Sequence, residues 1–154
     1  MKYASGIIVL AAALFAPSAV AGQAIPKDTC SVLSAADLNA LLGPGAKAEA
    51  IGDDQCKWVV ARGPVLKDEI NIHVRRANGA RELKDWTESA MVKPVKPVAG
   101  VADEAFVSDN GRAIAFRKGA NAVLVNAAGL FKQAPMQTPQ AIIEAAKRIA
   151  ANIK

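Results

Sequence analysis

A short apolar run near the N-terminus determines how much of this chain is available to fold. Ten apolar residues, Ile7–Ala16, follow the basic Lys2, and Pro17 ends the run. Ser18–Ala21 then supply the small residues that a signal peptidase recognises. A run of ten residues is too short to cross about 30 Å of hydrocarbon at about 1.5 Å per residue, which argues against a transmembrane anchor. The pattern therefore predicts a signal peptide that is cleaved after Ala21, and export to the periplasm or beyond.

Removal of residues 1–21 leaves residues 22–154 as the part that folds. These 133 residues fit a single domain, which is large enough to bury a core without a metal ion or cofactor. The whole chain is 52% hydrophobic and 21% charged, which excludes a disordered tail and a disulfide-dense miniprotein. Lys2 leaves with the signal peptide, so the formal net charge falls from +5 to +4. We expect one cationic domain with no cofactor and no metal site.

The two cysteines of the chain, Cys30 and Cys56, both lie in this mature part. An even pair in an exported domain is typical of a structural disulfide. A zinc site would need more ligands than two cysteines and the single histidine, and a redox pair would more often take the Cys-x-x-Cys form. We therefore predict a Cys30–Cys56 disulfide that stabilises the fold by about 3.5 kcal/mol.

Capping residues and alternating hydrophobicity predict one helix and three strands in the first half of the mature chain. Ser34 is a good N-cap, Asp37 can complement the free N–H groups of the first turn, and Gly43 ends the helix. Strict alternation makes the third strand the clearest of the set. The predicted strands are Ala46–Ile51, Cys56–Arg62 and Glu69–Arg75.

The second half continues with a helix, a connector, a strand meander and a last helix. Asn78 and Gly79 open a helix to about Val92, and Lys93–Pro97 is predicted to be an extended connector. The buried stripe of that helix should be Leu83, Trp86 and Ala90. The predicted strands are Ala105–Val107, Arg112–Lys118 and Asn121–Ala127. The last helix begins at Thr138-Pro139 and buries Ile142, Ala146, Ile149 and Ile153.

This order of elements predicts an α+β fold, an antiparallel sheet of about five strands flanked by three helices. Three blocks of sequence bear on it further: Cys30–Gly43, Cys56–Trp58 and Val98–Phe106. In that order they resemble a family of secreted bacterial proteins of uncharacterised role, and the resemblance implies a PsbP-like fold with no established chemistry. The chain departs from the family pattern at Val101, where the family has glycine, and it has no cysteine for lipidation at the cleavage site.

The sharpest candidate binding site is a basic turn between the third strand and the second helix. The free N–H groups at a helix start favour an anion, and flanking guanidinium groups would strengthen its binding. The residues of this candidate site are Arg75, Arg76, Asn78, Gly79 and Arg81. The competing interpretation, which we favour from the sequence, is a solvated basic edge that Glu82 and Asp85 neutralise.

His73 is the single histidine and the one candidate for catalysis. Alternation places it on the polar side of the third strand with Asn71 and Arg75, opposite the apolar residues. A serine hydrolase would need a nucleophile and a buried acid beside it, and the chain has no Gly-x-Ser-x-Gly motif. We therefore expect an ordinary strand histidine, with an envelope-associated hydrolase that uses His73 as the alternative.

The scarcity of catalytic and stacking residues favours binding over chemistry. The sequence pI is about 9.4, but the cations are scattered, so we do not expect nucleic acid as a partner. A cationic exported domain can still associate weakly with anionic envelope surfaces. The sequence thus predicts a non-enzymatic binding or protein-interaction domain, whose partner is another protein or a small anionic ligand.

Overall fold

A computed structural model of the chain describes residues 25–65, 67–89, 93–127 and 139–153, so the predicted signal peptide lies outside the described residues. A 3₁₀ turn, Thr29–Val32, comes first. The helices are α1 (Ala35–Leu42), α2 (Gly79–Glu88) and α3 (Pro139–Asn152). The strands are β1 (Lys47–Ala50), β2 (Gln55–Ala61), β3 (Lys67–Arg75), β4 (Val95–Pro97), β5 (Glu104–Ser108), β6 (Ala113–Lys118) and β7 (Asn121–Asn126).

The strands form one open sheet in the order β1-β2-β3-β7-β6-β5-β4, and all neighbours are antiparallel. The α+β class and the three helices are confirmed, but the prediction of about five strands is wrong, because the described residues already form a sheet of seven. The segment predicted to be a connector contains β4, in which Val95 pairs with Ser108 and Pro97 with Phe106. Proline lacks a backbone donor, so a strand that contains it is tolerated at a sheet edge and resembles a loop in the sequence.

One side of the sheet, which we call the core side, packs against α1 and α3. Its largest fully buried side chains include Trp58 and Phe116. The predicted stripe of α3 is confirmed, since all four of its residues are buried: Ile142, Ala146, Ile149 and Ile153. Lys118 Nζ holds the end of α3, because it donates to the carbonyl oxygens of Ala150 at 2.7 Å and Ile153 at 2.6 Å. A cation at this position also complements the partial negative charge of a helix C-terminus.

The other side of the sheet, which we call the α2 side, packs against α2 at β6 and β7. Leu83 is buried there among residues of these two strands, and Trp86 is partly buried beside it. The helix ends at Glu88, earlier than the predicted Val92, because the backbone of Ser89 is extended and its hydroxyl donates to the Trp86 carbonyl oxygen at 2.7 Å. Ala90, the third member of the predicted stripe, lies outside the described residues.

The disulfide prediction is confirmed, since Cys30 in the 3₁₀ turn is bonded to Cys56 in β2 with 5.2 Å between the Cα atoms. The predicted first helix is confirmed as well. Ser34 Oγ accepts the Asp37 N–H at 3.1 Å, and the Asp37 carboxylate accepts the Ser34 N–H at 3.2 Å. These reciprocal bonds form a capping box, and Gly43, with φ of +85°, ends the helix.

An ion pair joins the end of α1 to the β2–β3 hairpin. Arg62 Nε lies 2.5 Å from Asp68 Oδ2, and the same guanidinium group donates to the Leu42 carbonyl oxygen at the end of α1. The Asp68 side chain is fully buried, whereas that of Arg62 is 25% exposed. The pair therefore places a buried carboxylate beside a cation that also satisfies a terminal helix carbonyl group.

The Asp37 carboxylate connects α1 to α3. It accepts hydrogen bonds from Ser34 Oγ at 2.7 Å and from Arg148 Nη1 at 2.9 Å. These contacts, with the Ser34 hydrogen bond the stronger influence, lower the pKa of Asp37 from its ordinary value of 3.8. Because the folded state then has the lower pKa, the contribution of Asp37 to stability is complete above the unfolded value and is lost as the pH falls through the folded value.

We expect Asp37→Asn to lower the free energy of unfolding by a constant amount above about pH 5, and by less and less below about pH 4. Urea unfolding of both proteins across this pH range measures the difference. Asp53→Asn, a change in an exposed turn, is the matched control. A difference for Asp37→Asn that persists unchanged to about pH 2 would contradict the assignment.

Candidate functional site

The predicted basic turn lies between β3 and α2, and the fold uses its glycine as a close-contact position. Asn78 has a left-handed backbone, with φ of +57°, and precedes the helix. The Gly79 N–H donates to the Ala120 carbonyl oxygen at 2.8 Å. A Cβ atom at Gly79 would lie 2.7 Å from the Asn121 carbonyl oxygen, so only glycine fits. This N–H is therefore hydrogen-bonded to the β6–β7 turn, whereas the sequence indicated that it could bind an anion.

Two arginines of the basic turn face carboxylates. Arg75 Nη1 contacts the Asp54 carboxylate, and Arg75 Nε lies 3.5 Å from Glu82 Oε2. Arg81 Nε lies 3.7 Å from Asp85 Oδ2, in a pair whose side chains are both exposed. This is the arrangement that the solvated-edge interpretation expects. Binding of an anion at this turn stays a prediction, and such a ligand would compete with these carboxylates.

The remaining arginine, Arg76, points in another direction and holds the N-terminal segment. Its Nη2 donates to the carbonyl oxygens of Pro26 at 2.7 Å and Lys27 at 2.8 Å, and to Thr29 Oγ1 at 3.1 Å. Ile25, just before these residues, is buried in the core. The sequence could not indicate this role, because the partners lie about fifty residues away along the chain.

We expect Arg76→Met to lower the free energy of unfolding by about 1.5–3 kcal/mol, the usual effect of losing hydrogen bonds to a charged group. Methionine keeps the apolar stem, so the change isolates the guanidinium group. Arg81→Met, at an exposed ion pair, is the control and should change stability by less than about 1 kcal/mol. Hydrogen exchange should also become faster in residues 25–29. Equal effects of the two substitutions on urea unfolding would contradict the role assigned to Arg76.

His73 is half-buried on the α2 side of β3, as its sequence alternation predicts. Its Nε2 lies 3.4 Å from Nε2 of Gln55, the residue opposite it in β2. Burial lowers the pKa of His73, the charge of Arg75 lowers it further, and Asp54 partly opposes both. The ring is therefore neutral at pH 7. Within the described residues, its side-chain hydrogen-bonding partner is an amide, which can orient the ring but supplies neither a nucleophile nor an acid.

A larger feature lies beside His73, on the α2 side of β1, β2 and β3. We call this surface the open half; it consists of the odd-numbered residues of those three strands. Lys57 Nζ lies 2.7 Å from Glu49 Oε2, and Asn71 Nδ2 donates to Glu69 Oε1 at 3.1 Å. The Lys57 hydrogen bond lowers the pKa of Glu49, and the same contact raises the pKa of Lys57. Both groups thus stay charged at neutral pH, and the surface alternates in sign.

The open half ends at β1, whose outer edge pairs with no other strand in the part of the chain that the structure describes. All four residues of β1 are exposed. The Ile51 N–H donates to the Gln55 carbonyl oxygen at 3.1 Å, in the same register as the β1–β2 ladder. Hydrogen-bonded pairs of an antiparallel ladder recur at every second residue, so the odd-numbered residues of β1 bond to β2. The backbone N–H and C=O groups of Ala48 and Ala50 therefore point outward from the sheet.

Two clefts adjoin these features. One, of about 430 Å³, lies at the end of β1 and is lined by Lys27, Asp28, Ala50, Gly52 and Asp53. The other, of about 370 Å³, lies at the start of α2 and is lined by Asn78, Gly79, Ala80, Arg81, Gly119 and Ala120. The first brings the N-terminal segment, which Arg76 holds, next to the unpaired edge.

In comparisons with known proteins, the chain matches no family model, no curated sequence and no solved structure. Within the described ranges, no helix is both long enough and apolar enough to span a membrane. The same residues contain no group of three or more His, Cys, Asp or Glu side chains placed to hold a metal ion.

Sequence reasoning missed the unpaired edge of β1. The strand is predicted from the sequence as Ala46–Ile51, but the prediction does not say whether it lies at the edge or in the centre of the sheet. One signal could have found it. A strand with no large apolar residue has nothing to bury on either side, and such a strand belongs at the edge of a sheet.

Proposed function

We propose that this chain is a small exported, non-enzymatic protein-interaction domain that binds its partner through the open half and the β1 edge. One observation carries the proposal: a fully exposed edge strand, with outward backbone donors and acceptors, borders a polar surface of alternating charge. Export is supported by the predicted signal peptide, and the disulfide is of the kind that persists in oxidising compartments. From the resemblance of its three sequence blocks to a family of secreted bacterial proteins, we also propose that the domain has a PsbP-like fold.

The chemistry of this surface favours a polypeptide partner. Backbone N–H and C=O groups that recur at every second residue match the spacing of an extended peptide, which can add to a sheet as one more strand. The mixed charges of Lys57, Glu49 and Glu69 give no uniform positive field, so a nucleic acid or an anionic lipid surface has little to bind here.

A small anionic ligand is the second candidate, and one observation favours it. The cleft at the start of α2 places Asn78, Gly79 and Arg81 around one volume. Arg75 and Arg76 flank this turn, although both hold other groups of the protein. The alternative enzymatic proposal, an envelope-associated hydrolase that uses His73, requires a nucleophile within reach of a ring whose neighbour in β2 is Gln55.

Site-specific photocrosslinking in the native compartment tests the proposed surface. Photoreactive benzoylphenylalanine replaces Ala61 or Lys67, two exposed residues of the open half that pair across β2 and β3. The matched controls carry the same group at Ala151 on α3 or at Lys84 on α2, which are also exposed. We expect crosslinked polypeptide at the two open-half positions and much less at the controls. Crosslinking that is equal at all four positions, or confined to the controls, would overturn the proposal.

A further inference from the structure

The two edges of the sheet differ in how they are protected against pairing. β4 at one edge has three residues, among them Pro97, and a second proline, Pro94, lies next to it. Prolines remove donors and are a common way to block an edge. β1 at the other edge has no proline, and its outward backbone groups belong to Ala48 and Ala50. Within residues 25–65, 67–89, 93–127 and 139–153, one edge of the sheet is therefore blocked and the other is available for pairing.

We propose that β1 pairs with β1 of a second copy of this chain, antiparallel about a two-fold axis at Ala48, so that two seven-stranded sheets become one. The inference rests on the proposed function and names the partner of that same edge. A two-fold axis sets equivalent residues of the two strands opposite each other, and Ala48 opposite Ala48 of the second copy forms a hydrogen-bonded pair because its backbone groups point outward.

Side-chain charges select this register over its neighbours. With Ala48 at the axis, Lys47 of each copy lies directly opposite Glu49 of the other, which gives two attractive pairs. A shift in one direction sets Glu49 opposite Glu49, and a shift in the other sets Lys47 opposite Lys47. Directly opposed side chains of like charge destabilise a sheet. A lysine in an edge strand usually prevents pairing, but here Glu49 of the partner strand neutralises it.

Two further features of β1 fit this pairing. Ala48 and Ala50 face the core side with methyl groups alone, so no large side chain obstructs an incoming strand. Glu49 already bonds Lys57 at 2.7 Å, so Lys47 of the second copy would extend a row of alternating charge across the junction. Because β1 has only four residues, the contact is small, and we expect association that depends on protein concentration.

Charge reversal tests the register directly. Lys47→Glu sets two carboxylates opposite each other in both cross-strand pairs, and Glu49→Lys sets two ammonium groups opposite each other there. Each variant alone should therefore associate about tenfold more weakly than the wild-type protein. In an equimolar mixture, one variant supplies a carboxylate at both positions and the other supplies an ammonium group at both. Both cross-strand pairs of the mixed dimer are therefore attractive, so the mixture should associate about as strongly as the wild-type protein, and a mixture no stronger than either variant alone would contradict this register.

The double variant Lys47→Glu/Glu49→Lys exchanges the two charges and restores an attractive pair at both ends of the junction. Its association constant should return to within about threefold of the wild-type value. Lys96→Glu, in β4 at the blocked edge, is the matched control and should not change association.

Sedimentation equilibrium of the mature, disulfide-bonded protein from about 1 µM to about 1 mM measures these constants, and circular dichroism verifies that each variant is folded. A wild-type protein that stays monomeric at about 1 mM would overturn the proposal, as would a folded double variant that fails to recover association. In either case, crosslinking of a different polypeptide at Ala61 or Lys67 would leave the proposed interaction domain standing. Loss of both results would reject both proposals.

Discussion

Asp68→Ala is expected to lower the free energy of unfolding by about 3–5 kcal/mol, because it leaves a buried charge without its partner. The carboxylate is fully buried and pairs with Arg62, which in turn satisfies the last carbonyl group of α1 at Leu42. Removal of the carboxylate leaves a guanidinium group that is three-quarters buried without this counter-charge. Urea unfolding at pH 7 measures the loss.

The double variant Arg62→Met/Asp68→Leu distinguishes the effect of an unpaired buried charge from the effect of losing the volume that the two side chains fill. Replacement of both charged groups by apolar ones removes the uncompensated charge, so we expect it to recover most of the lost stability. Asp85→Ala, at an exposed pair with Arg81, is the control and should cost less than about 1 kcal/mol. If Asp68→Ala costs no more than this control, the pair does not support the β2–β3 hairpin.

Loss of the disulfide is the second large effect. Cys30→Ala/Cys56→Ala should lower the free energy of unfolding by about 3.5 kcal/mol, because the crosslink spans 26 residues and restricts the unfolded chain. Urea unfolding of the purified double variant, compared with the wild-type protein under oxidising conditions, gives this value. A change below about 1 kcal/mol would contradict the structural role of the bond.

The disulfide and Arg76 should also be coupled, because both hold the segment before β1 to the sheet. Cys30 belongs to the 3₁₀ turn whose Thr29 hydroxyl accepts from Arg76. A double-mutant cycle that combines Arg76→Met with the cysteine replacements should therefore show a total loss that differs from the sum of the separate losses by at least about 0.5 kcal/mol. Strict additivity would show that the two contacts secure separate parts of the fold.

The features predicted correctly from sequence depend on neighbours along the chain. Ser34 and Asp37 lie three residues apart and form the predicted cap of α1. The apolar stripe of α3 and the alternation of β3 follow from the repeats of one helix and one strand. The disulfide follows from composition and compartment, since the chain offers each cysteine a single partner.

The features that sequence reasoning missed depend on contacts between distant segments. β4 is a strand only because β5 pairs with it, and its prolines resemble those of a connector. Arg76 is a candidate residue of the anion site in the sequence, and its contact with the backbone of Pro26 and Lys27 could not be predicted because these residues lie about fifty positions away. The unpaired state of β1 is a property of strand order, which hydrophobic periodicity does not encode.

Amide hydrogen exchange in β1, measured residue by residue by NMR, tests the central claim that this edge is open and ready to pair. In dilute monomeric protein, we expect the Glu49 N–H to be protected by its bond to β2 and the N–H groups of Ala48 and Ala50 to exchange freely. At high concentration, the two alanine amides should become protected in the wild-type protein and stay unprotected in Lys47→Glu. Protection of Ala48 and Ala50 equal to that of Glu49 in the dilute monomer would contradict an open edge.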